Sequence, residues 1–482
     1  MVFSSLVFVF LLFAVCYTCY IFGQTMKSRN IILLVSSLIF YAWGGPPLVF
    51  LLCTVAFVCW GGAILIQNTQ EKRRKKALCG VTVAICIAVL FIFKYSGFVL
   101  STAFSLFSFS GTVPSIVLPI GISFYTFQLI SYVVDVSRGE VEAQKKYWLL
   151  LLYVSLFHQC IAGPIVRYAD VNFEIENRIM TREDTSRGIT RFSVGLAKKA
   201  ILANGCGAIC DSIFNSAETG LALSADAVSS LSSTAIILGV ACYTLQLYLD
   251  FSAYSDMAIG MGLMIGFHYK ENFNYPYTAV SVTDFWRRWH ISLSSFFRDY
   301  VYIPLGGNRV SVPRHIFNML AVWGLTGIWH GANWNFLLWG LYYFLFLVIE
   351  KYVIKPSANP TGIKRILRVF PTLIIVFFGS MLFKFTDFTV LGKAFVGIFC
   401  ANGNSFADTL TGMTFKNNLF FLATCCIACT PIIPTLKNLA SKNKITAKLW
   451  TAVGAVAPAV LIILAACALA GDSYNPFMYF QF

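Results

Sequence analysis

Charge is scarce in this chain. Asp, Glu, Lys and Arg make up 12% of its 482 residues, against roughly 25% in an ordinary soluble domain. Set beside 58% hydrophobic residues, that shortage excludes a soluble globule. Regular alternation over ~10-residue segments is also missing, which excludes a transmembrane β-barrel. There is no P-loop, no G-x-G-x-x-G, no H-E-x-x-H and no G-x-S-x-G, so these nucleotide-binding, zinc-protease and serine-hydrolase signatures are absent. Internal repeats, low-complexity tracts and a separable soluble domain are lacking too. Histidine is rare, at 5 residues, and the place of each one is therefore informative.

What the chain has in quantity is apolar runs near or above the ~18–20 residues that span a bilayer as a helix. They fall at 2–22, 31–45, 47–67, 77–100, 115–136, 148–163, 188–213, 226–250, 316–330, 333–353, 370–386, 417–435 and 447–470. The expected fold class is an all-α polytopic integral membrane protein with about 11 or 12 crossings. Runs 31–45, 148–163 and 316–330 are short for a full crossing and are expected to be re-entrant or to border an aqueous cavity. Residues 1–22 lack a basic leader and an A-x-A-like site, so a first membrane helix is expected there rather than a cleaved signal.

The formal net charge of +15 does not point to nucleic acid, because the Lys and Arg lie in short loops between apolar runs. Cytoplasmic loops of membrane proteins carry that excess. Loops such as "EKRRKK" (71–76) and 268–315 are thus expected inside, while 101–114, 214–225, 401–415 and the terminal "DSYNPFMYFQF" are expected outside. Among the 15 cysteines are C-x-x-C pairs at Cys16/Cys19 and Cys426/Cys429. Both lie in apolar helical runs without a histidine, so no metal site is expected.

The longest polar interruption reads "TDFWRRWHISLSSFFRDYVYIPLGGNR". Thr283 or Asp284 can cap a helix ending before Pro304. At ~100° per residue, Phe285, Trp286, Trp289, Leu293, Phe296, Phe297 and Tyr300 share one face. Arg287, Arg288, Ser294, Ser295 and Arg298 lie opposite, with His290 beside the apolar arc. Such a helix is expected in the bilayer interface, aromatic face down.

Ionisable groups inside membrane runs cost ~2.5–3.5 kcal/mol each on insertion scales and mark sites or pathways. His330 lies in "GLTGIWHGANWNFLLWG", where Asn333 or Asn335 can orient its ring. Asp250 and Asp256 lie in "LQLYLDFSAYSDMAIGMG" and need partners, for which Arg287, Arg288, Arg298 and His330 are the candidates. Lys94 is expected to snorkel outward, His158 to be structural, and His268 and His315 to lie at the surface. His290 and His330 remain as the acid/base candidates.

At "FWRRWHISLSSFFRDYVYIPLGGNR" and "GIWHGANWNFLLWG" the chain resembles the membrane-bound O-acyltransferases. "LPIGISFYTFQLISYVVDV", "IAGPIVRY" and "DFSAYSDMAIG" fit the same family, and "MVFSS", "FYAWGGP" and "FMYFQF" fit its bacterial polysaccharide O-acetyltransferase branch of the alginate type. His158 stands where relatives often carry proline, and Lys384 where they often carry arginine.

The resemblance implies a ring of helices in one membrane unit over residues 1–482, with helices in 1–114, the motif-bearing core in 115–354 and further helices in 355–482. It implies a central tunnel with His330 between a cytoplasmic and an outer funnel. It implies His330 as general base and His290 as the second histidine, guiding the donor at the cytoplasmic mouth with Arg287 and Arg298. Arg287, Arg298 and Ser294 would bind or orient the donor, Asn333 would hold donor or oxyanion, and Asp250 and Asp256 would orient the site.

The implied donor is a cytoplasmic thioester, acetyl-CoA, with no bound cofactor and no metal. The implied acceptor is an extracytoplasmic polysaccharide hydroxyl, reached through an extracytoplasmic esterase-like transferase partner at the lipid bilayer of the bacterial inner membrane. Two alternatives stand beside this reading: D-alanyl transfer to teichoic acid from a carrier protein, and a secondary transporter or flippase.

Overall fold

The computed structural model of the chain describes residues 4–109, 111–114, 116–161, 163–355, 360–471 and 477–478. All helices and no strands are found among them, apart from one bridge between Asn215 and Ala222. Most of the terminal "DSYNPFMYFQF" lies outside the described residues. The chain divides into two compact units, Met1–Val194 with Tyr254–Glu271 and Leu469–Phe482, and Gly195–Ala253 with Asn272–Ala468.

The first unit opens with α1 (Phe8–Phe22) and α2 (Met26–Ala42), the latter started by a capping box in which Thr25 and Ser28 exchange side-chain bonds to backbone N–H groups. Next come α3 (Pro46–Asn68), with proline in its first turn, and the long α4 (Lys72–Leu106). Gly121 takes a left-handed φ of +72° just before α5 (Ile122–Arg138). A Cβ there would lie 2.3 Å from the Cys160 carbonyl oxygen, so only glycine fits. This explains the glycine of "LPIGISF". Helices α6 (Tyr147–Ser155) and α7 (Tyr168–Asn177) follow, then the start of α8 (182–214).

Helix α9 (Ser233–Ile265) contributes its C-terminal part to this unit. It places Asp256 against Arg191 of α8 at 3.0 Å, and Arg191 also meets Glu271. Asp256 thus pairs with Arg191 and not with the Arg287/Arg288/Arg298 cluster. His158 is fully buried with its Nε2 2.5 Å from the Tyr269 hydroxyl, a structural placement. His268 is exposed and bonds Glu174. Lys94 does not snorkel outward: its ammonium donates to the Ser123 hydroxyl at 3.1 Å.

The second unit carries α10 (Val282–Arg288), α11 (Ile291–Phe297), α12 (Val312–His330), α13 (Trp334–Ile354) and α14 (Ile363–Lys384). Beyond them lie α15 (Phe388–Ile398), the pair α16 (Leu419–Ala428) and α17 (Ile432–Ala440), and α18 (Lys444–Ala470). In this unit Asp250 pairs with Lys199 at 2.7 Å, both side chains 2% exposed. Here too the partner is a base from α8 rather than the arginine cluster or His330. His315 is buried, not superficial, between the hydroxyls of Tyr302 and Tyr352 at 2.7 and 2.6 Å. Lys384 reaches Asp211 at 3.4 Å and the Tyr243 ring at 5.2 Å.

Among the described residues, 6 helices are long and apolar enough to cross a membrane, namely α3, α4, α9, α13, α14 and α18. The α16–α17 pair, bent by 69°, makes a seventh if counted as one span. The run 31–45, read as short for a crossing, lies mostly in α2 of 17 residues, and the run 115–136, read as a crossing, gives α5 of 17 residues, each about 26 Å at ~1.5 Å rise against a ~30 Å hydrocarbon core. The protein is a multi-pass, all-helical membrane protein.

Removing one member of a buried ion pair strands the other, at ~3–5 kcal/mol. Lys199→Met should therefore lower the melting temperature of the detergent-solubilised protein strongly, and Lys199→Met with Asp250→Leu should recover most of the loss. A double variant no more stable than the single one would show that the pair is not the determinant.

Candidate active site

The polar stretch at 283–303 does not form one helix. Ser281, rather than Thr283 or Asp284, caps α10, its hydroxyl accepting from the Asp284 N–H at 3.0 Å. The helix stops at Trp289, and His290 takes a left-handed backbone conformation, φ +45° and ψ +56°. Helix α11 then restarts at Ile291 and runs into a wide turn over Arg298–Tyr302. A non-glycine residue held there costs of order 1–3 kcal/mol and must be fixed by its surroundings.

Two anchors do so. Asn272 accepts the Ile291 N–H on its backbone oxygen at 2.9 Å. Its side-chain oxygen meets the Ser292 N–H at 3.2 Å, the Ser292 hydroxyl at 2.8 Å and His290 Nδ1 at 3.1 Å. On the other side of the break, the Arg288 carbonyl accepts from the Asn274 N–H at 2.9 Å. The second anchor is Glu350 of α13. Its carboxylate accepts the Val282 and Thr283 N–H groups at 2.6 and 2.8 Å and the Thr283 hydroxyl at 2.8 Å. A carboxylate on the free N–H groups of a helix start is favoured by both hydrogen bonding and the helix dipole.

The aromatic face read from the helical period is buried except for the half-exposed Tyr300, and it packs on protein instead of lying on the bilayer. Trp286 meets Trp323, Tyr343 and Trp339 with ring centroids 4.6, 4.8 and 5.5 Å apart. Helices α12 and α13 approach closely across glycines. A Cβ on Gly327 would sit 2.4 Å from the Phe336 oxygen, and one on Gly340 would sit 2.4 Å from the Trp323 oxygen. This crossing delivers His330, the last residue of α12, into a cage of Trp339, Trp329 and Phe383 at 4.8, 5.1 and 5.4 Å.

These elements enclose a cavity of about 240 Å³. Its lining includes His290, His330, Arg287, Arg298, Ser294 and Trp286. The two imidazoles form the buried end, His290 being 1% and His330 6% exposed. Arg287, Ser294 and Arg298 are exposed and mark the mouth. Arg298 bonds Asp299 at 2.6 Å and Arg288 bonds Asp284 at 2.9 Å, whereas Arg287 has no ion-pair partner among the described residues. At the buried end, His290 Nε2 and the Trp286 indole N–H have no hydrogen-bond partner among the described residues.

Of the other residues singled out from sequence, Asn333 does not line this cavity. Its side chain caps α13, accepting from the Asn335 N–H at 3.4 Å. Asp250 and Asp256 are held in the ion pairs already described and do not line it either. Asn272 and Glu350 went unnoticed. Glu350 had a signal, an acidic residue closing the apolar run "NFLLWGLYYFLFLVIE"; Asn272 had none.

Residues 146–386 match the membrane-bound O-acyltransferase family. The chain belongs to that family. It is an O-acyltransferase, which replaces the transporter or flippase reading. It is 38% identical to the probable alginate O-acetylase AlgI of Azotobacter vinelandii over 83% of this chain and 78% of the relative. It is 34% identical to the AlgI of Pseudomonas putida over the full length of both. A peptidoglycan O-acetyltransferase of Helicobacter pylori is 34% identical over 66% of this chain and 64% of that protein.

Three substitutions test this arrangement. Glu350→Leu leaves buried N–H groups of α10 without an acceptor, at ~1–3 kcal/mol for each group stranded, so acyl transfer and melting temperature should both fall. Gly327→Val should separate α12 from α13 and abolish transfer. Gly324→Ala, which meets nothing within 4 Å, should leave transfer and melting temperature unchanged. Equal effects at 324 and 327 would refute the close-approach account.

Proposed function

We propose that this enzyme moves an acetyl group from cytoplasmic acetyl-CoA towards hydroxyls of an extracytoplasmic polysaccharide, working in the bacterial inner membrane. The observation that carries the reading is the cavity itself, with two buried imidazoles at one end and an unpaired guanidinium at the mouth. The named activities of the relatives, alginate and peptidoglycan O-acetylation, support an acetyl donor and a glycan acceptor.

Arg287, with Arg298 and Ser294, would take the anionic part of the donor at the mouth, since a guanidinium matches phosphate geometry. At about 240 Å³ the cavity suits the thioester arm and leaves the nucleotide outside. His330, as a neutral base, takes the proton of the acceptor hydroxyl as its oxygen attacks the acyl carbon. The new C–O bond forms, the C–S bond breaks, and the proton passes from the imidazolium to the departing sulfur. Positioned base catalysis contributes ~10²–10⁴-fold, and alignment of the two substrates contributes further. An extracytoplasmic esterase-like partner would complete the transfer to the glycan.

Membranes carrying His330→Ala and given radiolabelled acetyl-CoA should lose ~10²–10⁴-fold in label transfer, while the purified variant keeps the melting temperature of the parent. Parental transfer rates in a folded variant would remove His330 from catalysis. Incorporation of labelled alanine instead of acetate would move the assignment to D-alanyl transfer from a carrier protein.

A further inference from the structure

The hydrogen bonds around His290 determine which of its nitrogens carries the proton. The Ser292 backbone N–H can only donate, so the atom of the Asn272 side chain facing it at 3.2 Å is the oxygen. The same oxygen lies 3.1 Å from His290 Nδ1. An amide oxygen only accepts, so Nδ1 carries the hydrogen. In the neutral ring the lone pair is then on Nε2. That atom is buried, has no partner among the described residues and belongs to a side chain lining the cavity.

The Ser292 hydroxyl also lies 3.4 Å from Nδ1, but its hydrogen is given to the Asn272 oxygen at 2.8 Å, so towards the ring it can only accept, which again places the hydrogen on Nδ1. Phe251 stands edge-on at 4.7 Å, Phe273 is stacked at 6.4 Å and Trp329 is tilted at 6.0 Å. The titratable or charged groups that share the cavity are His330, Arg287, Arg298 and Tyr302. A protonated ring would put an Nε2–H where no acceptor lies among the described residues. The buried end is therefore built to receive a proton or an O–H hydrogen bond on Nε2.

We infer that Asn272 is a positioning residue of the transfer reaction, holding His290 as the Nδ1–H tautomer so that Nε2 accepts a hydrogen bond from a second hydroxyl of the acceptor, beside the one whose proton His330 takes. This rests on the acyl-transfer reading above. It assigns His290 to the acceptor side of the reaction, whereas sequence resemblance put it beside the donor. It also gives the left-handed turn at His290 a purpose. The turn and the tautomer are set by the same residue, whose backbone carbonyl accepts from Ile291 and whose side-chain oxygen accepts from Ser292 and the ring.

The test compares Asn272→Asp and Asn272→Leu in the purified full-length enzyme, with acetyl-CoA turnover followed against pH. Aspartate keeps the oxygen facing Ser292 and Nδ1, so the tautomer survives. Its added charge stabilises the imidazolium, and an opposite charge at this range raises a pKa by ~1–3 units. The acid limb of the kcat profile should therefore move to higher pH by at least about one unit, with kcat on the alkaline side within about threefold of the parent. Asn272→Leu leaves the ring free to exchange tautomers and should lose about tenfold or more in kcat at every pH, without recovery at alkaline pH.

A merely structural role would lower the melting temperature of both variants and leave the position of the acid limb unmoved. If Asn272→Leu does not fold, Asn272→Asp alone decides. An Asn272→Asp profile superimposed on that of the parent, or an Asn272→Leu enzyme of parental kcat, overturns the inference. His290→Ala separates the two levels: parental turnover in that variant defeats the use of His290 altogether, while loss there with unaltered Asn272 variants removes only the role of Asn272.

Discussion

A backbone reversal at one residue organises the site. With φ at +45°, His290 ends one helix and begins the next, and so α10 and α11 can aim different groups at the same cavity. A continuous helix would put positions 287, 290, 294 and 298 on one strip. Broken, it holds His290 at the closed end and leaves the arginines and Ser294 at the mouth. The conformation is unfavourable by itself, and the bonds from Asn272 to Ile291, Ser292 and the ring hold it in place. Glu350 fixes the other end by gripping the first N–H groups of α10. The second histidine comes by an independent route, a glycine crossing that brings α12 against α13.

The same economy of polar groups recurs elsewhere in the chain. On α9 the acids are paired, the buried Asp250 with Lys199 and the half-buried Asp256 with Arg191. The alternative in an apolar medium is a stranded ion, whose cost exceeds that of a lost hydrogen bond several-fold. Both partners come from α8, so the acidic residues of α9 act as links between consecutive long helices. They stand apart from the cavity lining, and their contribution to the site is through the position of α9, which carries Phe251 against the His290 ring.

How far the sequence could be read follows from the range of the interactions involved. The helical class and the long apolar helices were legible because hydropathy is a local property, and so was the buried set Phe285, Trp286, Trp289, Leu293, Phe296 and Phe297, because the period of 3.6 survives on both sides of the break. The break itself was not legible, since the residue that stabilises it, Asn272, belongs to a different segment. That Asp250 and Asp256 need partners was a matter of elementary energetics. Which bases answer them depends on how α8 lies along α9. Asn333 was misplaced for a related reason. It sits three residues from His330 in sequence, yet the chain turns between them, and its side chain is consumed in capping the next helix.

The distribution of ionisable groups in the cavity has a chemical logic of its own. A guanidinium is charged at every accessible pH, so it needs water or several acceptors around it, and Arg287 and Arg298 stand at the exposed rim. An imidazole can be neutral near pH 7 and still exchange a proton, so it is the side chain that can be carried to the apolar end without a counter-ion. On the proposed reading, the gradient from fixed charge to neutral base follows the donor itself, anionic at the nucleotide and uncharged at the thioester. A carboxylate in place of either histidine would need a cation beside it, as Asp250 and Asp256 do, and that cation would hold the carboxylate as a weaker base. The ion-paired acids outside the cavity and the imidazoles within it are thus two consequences of one constraint, the cost of charge in a medium that cannot solvate it.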